Sequence, residues 1–295
     1  MYEFPFASPA RLLAAFAVAC MVAAAGAQAP SAAAIPAVVP GQTQAQPANN
    51  ENDAMLAKAA KLYYSSSREG LSGFTCAVHP DWHALFVSAQ PGSAISPADE
   101  RIVLLNSVKI TLHAHMKGGS TLDWEPASDL NKPPDQDSAI LLKNMRQATE
   151  QNLQGVLPFW TVLVDGSTIP DSSDGLEITP TASGYRIHFK QGATEVTETL
   201  GSSLLLEHFD VNLNGSSIKL IPSYQSTEKG LLVTGFQAQL LPQGAAPEKT
   251  QQMRVGIEYK TIEGFPIPAE LNLQVIGTGV FNFSFDGCTV SKQAN

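Results

Sequence analysis

Apolar and polar side chains alternate one by one over residues 108–116. Val108, Ile110, Leu112, Ala114 and Met116 fall on one side, with Lys109, Thr111, His113 and His115 on the other. A period of two predicts a strand with one buried and one wetted face. Lys117-Gly118-Gly119 then predicts a turn back.

The same pattern fills the second half of the chain. Tyr185, Ile187 and Phe189 alternate before Gln191-Gly192, and Phe209, Val211 and Leu213 lead into the hairpin signal Asn214-Gly215. Leu232, Phe236, Ala238 and Leu240 alternate with Gly235, Gln237 and Gln239. Met253, Val255, Ile257 and Tyr259 alternate with Arg254, Glu258 and Lys260. Leu271, Leu273 and Val275 follow with Asn272 and Gln274 between them, then Phe281, Phe283 and Phe285 with Asn282, Ser284 and Asp286. Strands joined by short turns pair as an antiparallel meander. A sheet built from them is wet on one face and packed on the other.

Helical periodicity is confined to the first half. Met55, Leu56, Ala59, Leu62 and Tyr63 share one helix face, which ends near Gly70. Ser96-Pro97-Ala98-Asp99 combines a capping Ser, Pro at the first helical position and an acid in the first turn, and predicts a short helix over 97–105. A third helix follows Asp137, carries Leu141, Leu142, Met145 and Ala148, and closes near Gly155. Val156 to Val164 reads either as a short buried helix begun by Pro158 or as a strand. Helices covering the apolar face of a meander make the class α+β. Residues 28–50, rich in Ala, Pro, Gln and Asn, read as a leader without periodicity. The rest, 51–295, reads as a single domain, with no internal repeat.

Composition narrows the address. Only 15% of the residues are charged, against 44% apolar, and 18 basic against 27 acidic side chains give a net charge of −9. A nucleic-acid partner needs clustered Lys and Arg, so none is expected. Anionic headgroups are disfavoured for the same reason. Residues 1–27 read as a secretory signal peptide: Arg11, the apolar run Leu12–Ala25, and small residues at Ala25 and Ala27 before the cleavage point. The run is shorter than the ~20 residues a spanning helix needs, so no integral membrane span is expected. Ala17 stands where a lipoprotein signal wants a large aliphatic residue, so Cys20 reads as part of the discarded run.

Cys76 and Cys288 then remain. In an exported chain the expectation is a disulfide between them. The alternative is two separate buried thiols. The closed loop of about 210 residues would be worth up to about 5 kcal/mol in chain-entropy models.

The search for chemistry yields little. The chain contains no G-x-S-x-G, no P-loop, no H-E-x-x-H and no complete G-x-G-x-x-G. His113 and His115 share a strand face and could grip a metal, but Lys109 and Thr111 on that face favour plain solvated residues. His79-Pro80-Asp81-Trp82-His83 reads as a turn that anchors an indole, with a catalytic dyad as the sharper alternative. Asp171-Ser172-Ser173-Asp174-Gly175 offers oxygens, yet lacks the spacing and closing Glu of a calcium loop. No catalytic residue, metal or cofactor is therefore expected.

Val255-Gly256-Ile257-Glu258-Tyr259-Lys260-Thr261-Ile262-Glu263-Gly264-Phe265-Pro266-Ile267-Pro268 runs as a strand ending in Tyr, an acid-Gly turn, then a Pro-led strand. With the strand over Phe281–Val290 and a long N-terminal helix before a strand at Gly73–His79, it resembles the periplasmic lipoprotein carriers, the LolA/LolB-like superfamily, over residues 53–290. The chain exceeds the simple carriers by extra material around residues 117–175.

The resemblance implies a curved antiparallel half-barrel with a few helices on its concave face. It also implies a cavity that takes a lipid or lipoprotein acyl chain. The expected protein is thus a monomeric, non-enzymatic, exported envelope protein of the periplasm or outside the cell. Phe236, Phe281 and Phe283 are the candidate lining residues. The alternatives are a structural or interaction module of the cell surface and, less favoured, a secreted hydrolase using two or more of His79, Asp81, His83, His113 and His115.

Overall fold

The computed structural model describes residues 47–90, 92–116, 119–125, 135–164, 168–191, 194–213 and 215–293. The proposed signal peptide, most of the leader, and Asn214 of the hairpin signal lie outside the described residues. Four helices, α1 (Pro47–Ala60), α2 (Trp82–Ala89), α3 (Glu100–Asn106) and α4 (Gln136–Val164), accompany twelve strands. The strands are β1 (Leu71–Pro80), β2 (Lys109–His115), β3 (Gly119–Glu125), β4 (Glu177–Thr181), β5 (Gly184–Gln191), β6 (Thr194–Gly201), β7 (Leu206–Leu213), β8 (Ser216–Thr227), β9 (Gly230–Leu241), β10 (Gln251–Ile262), β11 (Phe265–Val275) and β12 (Gly279–Lys292).

All twelve strands form one open antiparallel sheet in the order β3-β2-β1-β12-β11-β10-β9-β8-β7-β6-β5-β4. From β4 to β12 it is an antiparallel meander, in which the alternation marks β5, β7, β9, β10, β11 and β12 but not β4, β6 or β8. The first strand then docks beside the last, with Phe74 opposite Val290, and β2 and β3 extend that edge. β-bulges at Thr75/Ala77, Thr199/Leu200, Ser223/Tyr224 and Glu258/Tyr259 add local twist. They help to curve a sheet that already twists by its own chirality. The fold is the expected α+β class.

The apolar columns meet across the ladders. Val78 lies opposite Ile110 and Phe285, Leu271 opposite Phe283, Val255 opposite Leu273 and Phe236, and Leu220 opposite Ala238 and Phe209. All of these are buried. One apolar face thus runs from β2 through β12 to β7, and helices cover part of it.

α1 stops at Ala60, short of Leu62, Tyr63 and the expected end near Gly70, and the helices depart from expectation in three further places. First, α2 forms where a turn was read. Asp81 Oδ1 accepts from Ala84 N at 2.8 Å and caps the helix, while Trp82 is buried as expected of an anchored indole. Second, α3 begins later than Ser96. Its cap is Asp99, which accepts from Arg101 N and is gripped twice by the Arg101 guanidinium. Ser96 Oγ serves Ala98 N instead. Third, α4 does not close at Gly155. It runs on through Pro158 to Val164, which settles the ambiguous run as helix. Proline removes one backbone hydrogen bond there, but Leu153, Val156, Leu157, Trp160, Leu163 and Val164 are all buried. Tertiary burial of that face outweighs the local break.

Between α1 and β1 the chain crosses the sheet. Tyr64 N donates to Leu231 O and Leu231 N to Leu62 O. The crossing requires Gly230 at φ +115°, where a Cβ would meet Tyr63 C at 2.8 Å.

Candidate functional site

The floor of the inner face is built by β9–β12 and its cover by α2 and α4. Phe236, Phe281 and Phe283 all sit on it and are buried. Phe236 stacks at a tilt on Phe159 of α4, with centroids 6.0 Å apart. Beside it Trp160 meets Phe74 edge-on at 5.7 Å, and its Nε1 donates to Tyr259 Oη at 2.8 Å. Burial pushes the Tyr259 phenol up, so it stays protonated. Phe281 and Phe283 border a hollow of about 10 Å³ with Trp82, Leu85 and Thr149. That volume is room for about one water. The three phenylalanines are therefore in contact with the protein's own cover.

Farther along the same face lies a group that the alternation reading passed over. Glu198 occupies the inward position of β6 between Val196 and Leu200, and is 2% exposed. Its neighbours across the ladders are Ile187 and Phe209. Tyr63 and Tyr224 stand close by, their rings 5.2 Å apart, and Leu206 N donates to Tyr63 Oη at 2.6 Å. Glu198 Oε2 has no hydrogen-bond partner among the described residues. Burial pushes the carboxyl up to about 8, so the group is mostly neutral at pH 7. Burial also pushes both phenols up, with Glu198 as a further cause for each and Tyr63 as one for Tyr224.

The histidines do not converge. His83 Nε2 contacts Ile95 O, and Asp81 is spent on capping α2. His113 lies between Thr75 Oγ1 (3.1 Å to Nδ1) and Asp123 Oδ2 (3.0 Å to Nε2). A hydroxyl–imidazole–carboxylate chain is the skeleton of a nucleophilic triad. Here its Asp is two-thirds exposed on the polar face of β3, and neither described hollow adjoins it. The same Thr–His pairing recurs at His188 and Thr197, which marks it as cross-strand pairing on a sheet surface. No group of three or more His, Cys, Asp or Glu able to hold a metal occurs among the described residues. In the Asp171–Gly175 loop, Ser173 N donates to Asp53 Oδ1 of α1 at 2.7 Å, a docking contact.

On the outer face, a shallow groove of about 330 Å³ opens over β8–β12. Ser223, Gln237, Arg254, Gly256, Asn272 and Gln274 border it, and Gly235 lies directly opposite Gly256. Two signals for these sites were present in the sequence: a charged residue at an inward position of β6, and a missing side chain in the polar column of β10. Nothing in the sequence placed Tyr63 and Tyr224 beside the first, or Gly235 opposite the second.

No family model, curated protein or solved structure matches this chain. Among the described residues, no helix is long and apolar enough to cross a membrane.

Proposed function

We propose that the protein is a non-enzymatic, exported binding protein of the cell envelope. In this reading it takes an acyl chain or similar apolar ligand between the sheet and its helical cover, as the likeness to the LolA/LolB-like carriers implies. The observation that carries the reading is the apolar face of an open sheet, running from β2 through β12 to β7 and covered in part by helices. Displacing α2 and α4 from that face would expose Phe74, Phe236, Phe281 and Phe283 together. Each methylene buried there would contribute about 0.8 kcal/mol. The signal-peptide pattern of residues 1–27 and the Cys76–Cys288 link support export.

The tight packing around Phe281 and Phe283 favours a second reading, a surface-interaction module that works through its exterior. Native mass spectrometry of protein exported to a bacterial periplasm, with a dansyl-labelled fatty acid titrated into the delipidated sample, separates the two. A co-purified lipid mass, or saturable dansyl enhancement accompanied by a change in Trp160 emission, is the expected result. A clean apo mass with no saturable enhancement would overturn acyl-chain binding and leave the second reading.

A further inference from the structure

We infer that the segment crossing the sheet between α1 and β1 is a pH-sensitive latch. When Glu198 ionises, the stretch carrying Tyr63 lifts, and the β5–β8 end of the inner face opens to solvent. The device belongs to the cover at that end and does not depend on what the face binds.

Three observations converge on it. The first is the charge. Glu198 is the one Asp, Glu, Lys, Arg or His among the described residues that are buried. It belongs to no ion pair there, and its Oε2 has no hydrogen-bond partner among them. A carboxylate cannot stay unpaired in such a place: the group keeps its proton, or solvent reaches it.

The second is the set of groups facing it. The titratable ones are Tyr63 from the crossing segment and Tyr224 from β8, with Tyr185 two places along the inward column of β5. β7 presents Phe209 and Leu206. Arg186, His188, Lys190, Glu195, His208 and Asp210 stand at outward positions of β5, β6 and β7. No cation on these strands therefore faces Glu198, and ionisation in the closed state goes uncompensated.

The third is how the cover is attached. β6 is paired along its length with β5 on one side and β7 on the other, with Glu198 inside both ladders. The crossing segment meets the sheet at an isolated bridge between Tyr63 and Leu231. Tyr63 Oη accepts from Leu206 N, and Lys229 pairs with Glu69 at the surface at 2.6 Å. Lifting this segment breaks fewer backbone bonds than parting the strands, so the cover is the unit that opens.

The direction follows from linkage. Burial holds the carboxyl at about 8 in the closed state, against an ordinary value of 4.5 once solvated. The closed form is fully favoured below about pH 4.5. Opening then gains about tenfold per pH unit and levels off above about 8.

Thiol labelling of Ala59→Cys tests this, read on the peptide carrying residue 59 in the full chain with Cys76 and Cys288 joined. Ala59 is fully buried near the end of α1, next to the latch. Ala114→Cys, buried on β2 at the far end of the sheet, is the control. Each rate is divided by that of the same protein carrying Glu198→Gln, which removes the pH dependence of the thiol itself. The ratio at residue 59 should rise by about tenfold or more from pH 6 to pH 8, while the ratio at residue 114 stays flat. A flat ratio at residue 59 would overturn the latch, because ionisation then opens nothing. An equal rise at both residues would overturn it too, because the whole molecule then loosens. If Ala59→Cys does not fold, deuterium uptake over residues 61–70 decides. It is compared between the unsubstituted protein and Glu198→Gln at each pH, with β2 as the control.

Discussion

Glu198 shows how a single side chain carries a cost that its neighbours do not relieve. An acid buried among Ile187, Phe209 and two tyrosines keeps its proton, and its folded pKa of about 8 stands above the ordinary carboxylate value of 4.5. The stabilisation tied to that proton is full below about pH 4.5 and is lost as the pH rises toward 8. Glu198→Gln keeps the shape and removes the titration. Its unfolding free energy, from urea curves at several pH values, should therefore gain on the wild type across that window. The gain should be on the order of 4 kcal/mol by pH 8. Parallel curves for the two proteins would refute a buried neutral acid. The Val196–Glu198–Leu200 parity was legible as an anomaly in β6. Its surroundings were not, because Tyr63 and Tyr224 come from distant stretches that only the crossing segment brings together.

At the scale of elements, α4 is where local rules and packing disagree most. Gly155 and Pro158 both argue for a break, yet the helix continues because its C-terminal half buries one side against β1, β9 and β10. The bond from Trp160 Nε1 to Tyr259 Oη is its direct polar tie to the floor. Tyr259→Phe leaves that indole N–H buried without its acceptor, and should cost about 1–2 kcal/mol in denaturant unfolding. A variant as stable as the wild type would mean that water replaces the phenol. Helix starts were legible as regions but not as residues. Ser96 and Asp99 are both capping types, and Arg101 decides for Asp99 by gripping its carboxylate, which holds that group down to about 2. The two edge strands were not read at all, and both carry edge protection. β4 is five residues long and contains Pro180, while β3 presents Asp123 and Glu125. Such features discourage further strand addition.

For the whole molecule, the contact that closes the topology is the pairing of β1 with β12. Cys76 and Cys288, 212 residues apart in sequence, sit there with Cα atoms 4.2 Å apart and are joined as a disulfide. Replacing both by Ser should lower stability by about 2–4 kcal/mol. Reductant should shift the wild-type thermal midpoint to the variant's value and leave the variant unmoved; a wild type indifferent to reductant would mean that the thiols are not joined. The alternation of side chains by itself determined the class, the meander and which face is apolar, because a period of two is a property of each strand alone. It also singled out Phe236, Phe281 and Phe283 as inward-facing. Only the tertiary structure decided what lies against them, how far α4 extends, that Glu198 is buried with an oxygen unpartnered among the described residues, and that Gly256 faces Gly235 between Arg254 and Glu258. Those outcomes depend on which strands become neighbours and at what register, and register is set by pairing between segments far apart in the chain.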